Sequence, residues 1–326
     1  MAALVVKPHA ITQVRLTVGP PSHWRCGRTL GSLMALSCLA LLPALGMGTW
    51  RYGLDAARVV ALAGAMAVIS EILLEMLAGR EVDVDNGTAL FHGLLLAMLL
   101  PATAPWWLVA AGSFCTIALG RTVFGGFGSN PFCPPLIGWA VCEVSWPKYM
   151  DLDLMLAHWP TPDPLAQLKY LGTGAIDHLP LADLFLGNQL GAIGASQGIA
   201  LLAGGLFLIA SRRLRPHIPL AFLAGVAAMA ALFHWLDPLT QAGPLFHLCT
   251  GSVLLGAFFL APDPGSSPSG HRAMILYGFL AGVLVLVIRQ WGIYPDGVPF
   301  AILLANLLAP LLDRVRPKFF GGRRHA

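Results

Sequence analysis

Ten apolar stretches, each close to the length that crosses a lipid bilayer, run through this chain of 326 residues. A membrane-spanning helix needs about 20 apolar residues, and its backbone groups must be hydrogen-bonded within protein. Only 11% of the residues are charged, whereas soluble domains carry about 25%. The sequence therefore predicts an all-α polytopic membrane protein and excludes a soluble globular enzyme. The ten predicted spans are 30–47, 56–78, 90–100, 106–119, 132–146, 191–210, 219–235, 246–260, 273–288 and 298–312.

The charges between the spans predict the orientation of the chain. Short cytoplasmic loops collect Lys and Arg, and ten spans place the basic arm, the arginines at 212–215 and the basic tail on one side of the membrane. The connection between the fifth and sixth spans is rich in Asp and falls on the other side. We therefore expect a multi-pass membrane protein with both termini in the cytoplasm. Because orientation explains the net charge of +4, no nucleic-acid partner is predicted.

A faint internal repeat relates the two halves of the chain. Leu-Phe-His opens the third span at 90–92 and the eighth span at 245–247. Arg121 and Arg289 each precede a Pro-Phe pair at the same offset. Each half would then hold five helices, and since five is an odd number the second copy must be inverted in the membrane. The predicted organisation is an N-terminal arm 1–28, a first repeat 29–146, an outer loop 147–190, a second repeat 191–313 and a basic tail 314–326.

The third and eighth spans are short and are closed by prolines, at Pro101 and Pro105 in one half and at Pro262 and Pro264 in the other. Proline frees a backbone carbonyl, which lipid cannot satisfy. Paired broken segments of this kind indicate a binding site near the middle of the membrane. Simple helix ends at loops remain the alternative.

Two carboxylates, Glu71 and Glu75, lie four residues apart in the otherwise apolar second span. A charge at membrane depth is costly and usually faces a bundle interior or an ion pathway. Both residues are candidates for an ion path, although Glu75 could instead reach the interface. His92 and His247 occupy equivalent places in the repeat and are read as packing residues rather than ligands. No metal site or iron–sulfur cluster is predicted, because no two of the six cysteines form a C-x-x-C pair.

The glycine-rich turn at 125–131 offers backbone N–H groups that could hold a phosphate, but no P-loop lysine accompanies it.

Several short sequence motifs resemble those of a known family, because they occur in the same order and at matching spacing. They are Asp85-Asn86-Gly87-Thr88-Ala89-Leu90, Gly93-Leu94-Leu95-Leu96-Ala97, Pro105-Trp106-Trp107, Gly125-Gly126-Phe127-Gly128-Ser129-Asn130-Pro131-Phe132, Gly256-Ala257-Phe258-Phe259, Asp263-Pro264, and Ile288-Arg289 followed by Tyr294-Pro295-Asp296-Gly297-Val298 and Asn306. From Leu30 to Pro317 the chain resembles the D subunit of the Rnf electron-transport complex, a family similar to the B subunit of the sodium-pumping NADH:quinone oxidoreductase.

The resemblance implies a membrane subunit of an ion-translocating ferredoxin:NAD oxidoreductase, in which electron transfer is coupled to movement of Na⁺ or H⁺. It implies partners as well: iron–sulfur subunits, flavin subunits and other integral membrane subunits. In that family FMN is joined by a phosphoester to a threonine of an outer loop, within a D-x-x-[ST]-G-A-T-like motif followed by Pro-Leu. Whether this chain alone is an enzyme stays open.

The flavin-attachment motif is missing from the outer loop of this chain. If Pro164-Leu165 matches the end of the motif, the acceptor position is Asp163; if the string at 173–175 matches instead, the acceptor is Ile176. Neither side chain has a hydroxyl group. Thr161 and Thr173 lie nearby but outside the required context. We therefore predict that any FMN or other flavin is not attached through a threonine.

Three functions remain open on the sequence alone. The first is an electron-carrying subunit of the redox complex. The second is a scaffold subunit of the same complex, which has lost its flavin. The third is a stand-alone secondary transporter, which the inverted repeat and the broken spans would suit.

Overall fold

The computed structural model describes residues 29–79, 86–156, 163–176, 178–238 and 240–314. Within these ranges the chain is helical and has no strand, which confirms the all-α prediction. The basic arm and nearly all of the basic tail lie outside the described residues, as does Thr161. The α-helices are α1 (Leu30–Leu77), α2 (Thr88–Leu99), α3 (Trp106–Ala118), α4 (Pro134–Ser145), α5 (Pro147–Met150), α6 (Pro164–Leu171), α7 (Leu181–Leu186), α8 (Gly198–Ala210), α9 (His217–Leu236), α10 (Pro244–Cys249), α11 (Val253–Leu255), α12 (His271–Trp291) and α13 (Val298–Leu312).

Several helices have the length and composition of membrane spans. Among the described residues, four segments are long and apolar enough to cross a bilayer: Leu30–Leu77, Trp106–Phe124, His217–Leu236 and His271–Trp291. Helices α2, α8 and α13 are apolar but shorter, with 12, 13 and 15 residues. The chain is thus a helical membrane protein, as its composition predicts.

Helix α1 is a hairpin of two arms rather than one rod. A straight helix of 48 residues would be about 72 Å long. Gly53 interrupts it with a φ of 70° and a ψ of −150°, a conformation that a residue without Cβ adopts readily. Met34 lies beside Gly87, and Glu71 is linked through Arg121 to Thr88. Both far ends of α1 therefore meet the start of α2, and the predicted first two spans fold back on each other.

The sixth predicted span begins later than its composition suggests. Residues 191–197 are not helical, and α8 starts at Gly198. Their backbone docks instead on the end of α2: the N–H of Ile193 donates to the carbonyl of Leu100 (3.1 Å), and that of Gly194 donates to Met98 (3.3 Å). Pro101 ends the helix there, so these carbonyls need partners from elsewhere in the chain. The unwound segment supplies them.

The eighth predicted span, which prolines close at its end, is also broken in its middle. Helix α10 stops at Cys249, and α11 begins at Val253 after Gly251, whose φ is 67°. The chain then continues as a short π-helix over Gly256–Leu260. The third predicted span ends at a proline, as expected, because α2 ends at Leu99, two residues before Pro101.

The described part of the outer loop, residues 147–156, 163–176 and 178–190, packs against one end of the bundle. Leu165 and Leu184 from the loop form an apolar cluster with Ala242 and Phe246. The ammonium of Lys169 donates to the carbonyls of Gly292 (2.5 Å) and Tyr294 (3.2 Å). These contacts fix α6, and with it Asp163 at the N-cap of that helix, above the broken eighth span.

Candidate functional site: buried charges at the two ends of the bundle

Glu71, the first ion-path candidate, forms a buried ion pair. Its side chain and that of Arg121 are 3% and 7% exposed, and the guanidinium of Arg121 donates to the Glu71 carboxylate. The same Arg121 nitrogen donates to the hydroxyl of Thr88 (2.6 Å), which itself donates to Asn86 (2.6 Å). Glu75 lies one turn along and is half-buried. The structure thus gives Glu71 a fixed counter-charge that the sequence did not predict.

His92 lies close to this pair and is almost fully buried, with 1% exposure. Neither ring nitrogen has a hydrogen-bond partner among the described residues. Its Nε2 is 3.6 Å from Oδ1 of Asp263, which is beyond hydrogen-bond distance. The ring of Phe127 stacks on His92 with the centroids 6.5 Å apart, and the guanidinium of Arg121 lies 5.9 Å from the same Phe127 ring. The glycine-rich turn therefore contributes an aromatic ring to this site.

Asp263 joins the two halves of the chain and was missed as a site residue. One of its oxygens, Oδ2, accepts from Asn130 Nδ2 (3.1 Å) in the first half. It also accepts from the N–H groups of Gly265 (3.2 Å) and Ser266 (3.1 Å) and from the Ser266 hydroxyl (3.1 Å). Asp263 is 3% exposed. A carboxylate between two prolines at the end of an apolar stretch is the signal that could have identified it.

A second buried arginine, Arg289, holds the break in the eighth span. Its guanidinium donates to the carbonyls of His247 (3.1 Å) and Thr250 (3.0 Å) and to the carboxylate of Asp296 (3.3 Å). Asp296 in turn accepts from the N–H of Ser252 (2.8 Å). Since these bonds satisfy groups freed by the break, the unwound residues 250–252 are held by charge-assisted hydrogen bonds.

The repeated histidines each lie near the repeated arginine of their own half. His247 Nδ1 is 3.4 Å from Arg289 Nη1, and His92 shares the Phe127 ring with Arg121. The described residues contain no group of three or more His, Cys, Asp or Glu side chains that could hold a metal ion.

An acidic cavity of about 530 Å³ lies beneath the outer loop. Its walls include Trp139 and Tyr170, and Lys148 is the one cation among the described residues that line it. Thr173 does not line this cavity; it opens a short 3₁₀ turn. The carboxylates that line the cavity are Glu143, Asp151, Asp153, Asp163 and Asp296.

These residues do not fit an FMN held through its phosphate. Neither of the two candidate acceptor residues, Asp163 and Ile176, has a hydroxyl group. The carboxylate of Asp163 caps α6 by accepting from the N–H of Leu165 (3.0 Å). Only one cation, Lys148, lies among the described residues that line the cavity, so the cavity offers a phosphate dianion little positive charge. The chemistry of the cavity thus agrees with the absence of the attachment motif.

Asp163 should make stability depend on pH. The pKa of its carboxyl is raised to about 7, chiefly by burial and also by the nearby Asp296, while the hydrogen bond from Leu165 N–H opposes the shift. Since the ordinary value is about 4, the folded chain binds more protons between about pH 4 and pH 7, and the free energy of unfolding falls as pH rises through that range. We expect Asp163→Asn to melt at a higher temperature than the wild type at pH 8 and to show a flatter pH dependence.

Thermal unfolding of the purified chain at pH 5 and pH 8 measures this effect. Asp153→Asn is the matched control, because Asp153 lines the same cavity but is exposed. Equal pH profiles for Asp163→Asn and the wild type would contradict the prediction.

Comparison of the sequence with known proteins identifies the family of this chain. The sequence profile of the NQR2, RnfD, RnfE family matches residues 17–321. A protein of Pseudomonas aeruginosa (strain UCBPP-PA14), described as the D subunit of an ion-translocating oxidoreductase complex, is 37% identical over 332 residues, which cover 93% of this chain and 95% of that protein. A protein of Salmonella typhimurium (strain LT2) with the same description is 35% identical over 350 residues, covering 95% and 99%.

Proposed function

We propose, because this chain belongs to the NQR2, RnfD, RnfE family, that it is the D-type membrane subunit of an ion-translocating oxidoreductase complex of the Rnf type. The observation that carries the proposal is the similarity to D subunits of such complexes over nearly the full length of both chains. In this role the chain supports electron transfer between ferredoxin and NAD that is coupled to movement of Na⁺ or H⁺. Its partners are the iron–sulfur, flavin and other membrane subunits of the complex.

The proposed topology is ten spans in two inverted repeats of five, with both termini in the cytoplasm of a cell whose inner membrane holds the complex. The two arms of α1 support it, since they turn one long helix into two spans. The positions of the repeated His–Arg pairs support it too. His247, beside Arg289, and Asp263, beside His92, are separated by 16 residues of one broken span. The two pairs thus lie toward opposite ends of the bundle, as inversion requires.

We place Glu71 on the ion path, with Glu75 nearer the helix end. Glu71 is a buried carboxylate of α1 beside the start of α2, within a set of buried charged residues that also includes Arg121 and Asp263. Buried ionisable groups in membrane helices are expensive and mark ion or proton pathways. The short helix α2 begins beside Glu71, since Arg121 links Glu71 to Thr88, and paired short segments of this kind mark binding sites in transport proteins.

Complex membership is tested by mild-detergent purification of the tagged full chain from its native membranes. We expect iron–sulfur and flavin subunits to elute with it. A chain that elutes alone and transports a solute after reconstitution would instead identify a stand-alone transporter.

We also propose that no flavin is joined to a threonine of this chain. The support is that neither candidate acceptor residue, Asp163 or Ile176, has a hydroxyl group, and that the cavity around Asp163 is acidic. Denaturing gel electrophoresis with in-gel flavin fluorescence is expected to show no band at the mass of this protein, 34.6 kDa. A fluorescent band at that mass, with the flavin mapped to Thr161 or Thr173, would contradict the proposal.

The absence of a flavin joined to a threonine favours a second candidate function, a scaffold subunit of the same complex that carries no flavin. Without an attached flavin, electrons would pass through neighbouring subunits while this chain forms part of the ion path. Cofactor analysis of the purified complex separates the candidates: a noncovalent flavin bound to this chain would favour an electron carrier.

A further inference from the structure

Three chain segments meet at the end of the bundle where α8 ends and α9 and α12 begin. Arg215 donates to the carbonyl of Ser269 (3.3 Å), which ties the α8–α9 turn to the segment before α12. The carboxylate of Asp313, after α13, accepts from the N–H groups of Ser269 (3.0 Å) and Gly270 (3.4 Å). The arginine surface, as we name it, consists of residues 211–217, 269–272 and 313–314.

The arginine surface carries a strong excess of positive charge. Its arginines Arg212, Arg215, Arg272 and Arg314 are exposed. Asp313 is the one carboxylate within these segments, and one of its oxygens already binds two backbone N–H groups. The first turns of α9 and α12, with 20 and 21 residues, add the positive ends of two helix dipoles. The surface is therefore electrostatically complementary to an anion.

Two histidines add hydrogen-bonding capacity to the surface. The rings of His217 and His271, the first residues of α9 and α12, are 4.9 Å apart at an angle of 89°. The Nδ1 atom of His217 is buried without a hydrogen-bond partner among the described residues. Polar atoms in this state usually bind water or a ligand.

Apolar side chains lie next to these charges, along the first turns of the same two helices. Leu220 of α9 is 62% exposed, and Ile275 and Leu276 of α12 are each 48% exposed. Cations at helix ends with exposed apolar side chains below them match the two parts of a phospholipid, the phosphate and the acyl chains. An acidic protein segment would use the charges alone.

We propose that the arginine surface binds an anionic phospholipid, with the phosphate of its headgroup at the arginines and an acyl chain along Leu220 and Ile275. The proposal stands on this chain's own residues and does not depend on the redox partners. It also differs from a general bias of positive charge that merely orients the helices, because it requires a preference for anionic headgroups in the folded protein.

The test titrates the purified full chain in neutral detergent with dioleoyl phosphatidylglycerol and with dioleoyl phosphatidylcholine, and reads bound lipid by native mass spectrometry. We expect phosphatidylglycerol to bind in preference to phosphatidylcholine. Each arginine near a lipid headgroup contributes about fivefold in affinity, so Arg215→Gln/Arg272→Gln should bind phosphatidylglycerol about 25-fold more weakly. Its affinity for phosphatidylcholine should not change.

Arg58→Gln is the matched control, because Arg58 is a half-exposed arginine of α1 outside the arginine surface. It should leave phosphatidylglycerol binding unchanged, and protease protection in vesicles should show the same orientation for all variants. Equal binding of the two lipids, or equal losses for the double variant and the control, would overturn the proposal. Unchanged lipid binding together with loss of a partner protein would also overturn it, by identifying a protein interface.

Discussion

Replacement of Arg121 by glutamine is expected to lower the free energy of unfolding by about 3–5 kcal/mol. Arg121 neutralises Glu71, and both side chains are almost fully buried. Removing one partner of a buried ion pair leaves an uncompensated charge in a low-dielectric interior, which costs about that much. The change also takes a donor away from Thr88 (2.6 Å). Thermal or denaturant unfolding of the purified chain in detergent measures the loss.

Arg58→Gln is the control for this experiment as well. Arg58 and Asp55 are 4.0 Å apart, with 52% and 63% of their side chains exposed. An exposed pair of this kind contributes about 0–1 kcal/mol. The double variant Glu71→Gln/Arg121→Gln should recover part of the stability, because no lone charge remains buried. If Arg121→Gln were no more harmful than Arg58→Gln, the buried pair would not stabilise the fold.

Replacement of Glu71 by glutamine is expected to slow redox-driven ion uptake into vesicles by about tenfold or more, while the complex still assembles. The amide oxygen can still accept from Arg121, but the charge and the proton-binding group are gone. Loss of one charge-assisted interaction of about 1.5–3 kcal/mol corresponds to a rate decrease of that order. Uptake is measured beside electron transfer in the same vesicles, so that coupling is separated from turnover.

Two further variants make the result specific to Glu71. Asp55→Asn removes an exposed carboxylate of the same helix and should leave uptake unchanged. Glu71→Asp keeps the charge and should retain more uptake than Glu71→Gln. Normal uptake in an assembled Glu71→Gln complex would remove Glu71 from the path.

The helices of this protein could be predicted largely from its apolar stretches. The predicted tenth span coincides with α13, Val298–Leu312, and the predicted fourth span differs from α3 by one residue. The reason is that lipid admits one solution for an isolated apolar segment, an internally hydrogen-bonded helix. Composition alone therefore predicts a helix wherever the backbone hydrogen bonds of a segment lie within that segment.

The two unwound segments could not be predicted in this way, because their hydrogen-bond partners are distant in sequence. Residues 191–197 are apolar enough to be helical, yet they bind carbonyls of α2, about 90 residues earlier. The break at Gly251 depends on Arg289 and Asp296, which satisfy the groups around it. The local amino-acid pattern of a segment does not indicate hydrogen-bond partners that lie so far away in the sequence.

The candidate site was predicted in part. Glu71 can be identified from the sequence because a carboxylate in an apolar span is anomalous by itself. Its partner Arg121 stands out in the sequence only as a marker of the repeat, since it lies 50 residues away and next to a loop. Asp263 appears in the sequence only within the strings that carry the resemblance, and the structure shows that it binds Asn130 of the first half of the chain. The ion-path role of Glu71 and Glu75 stays a prediction.

The bond between Asn130 and Asp263 has a mechanical consequence. It links the segment before α4 to the segment before α12, and both side chains are almost fully buried. Separating them would leave buried polar atoms without partners, which costs free energy. The two segments are therefore held together at this point, and movement between them is restrained there more than at the exposed ends of their helices.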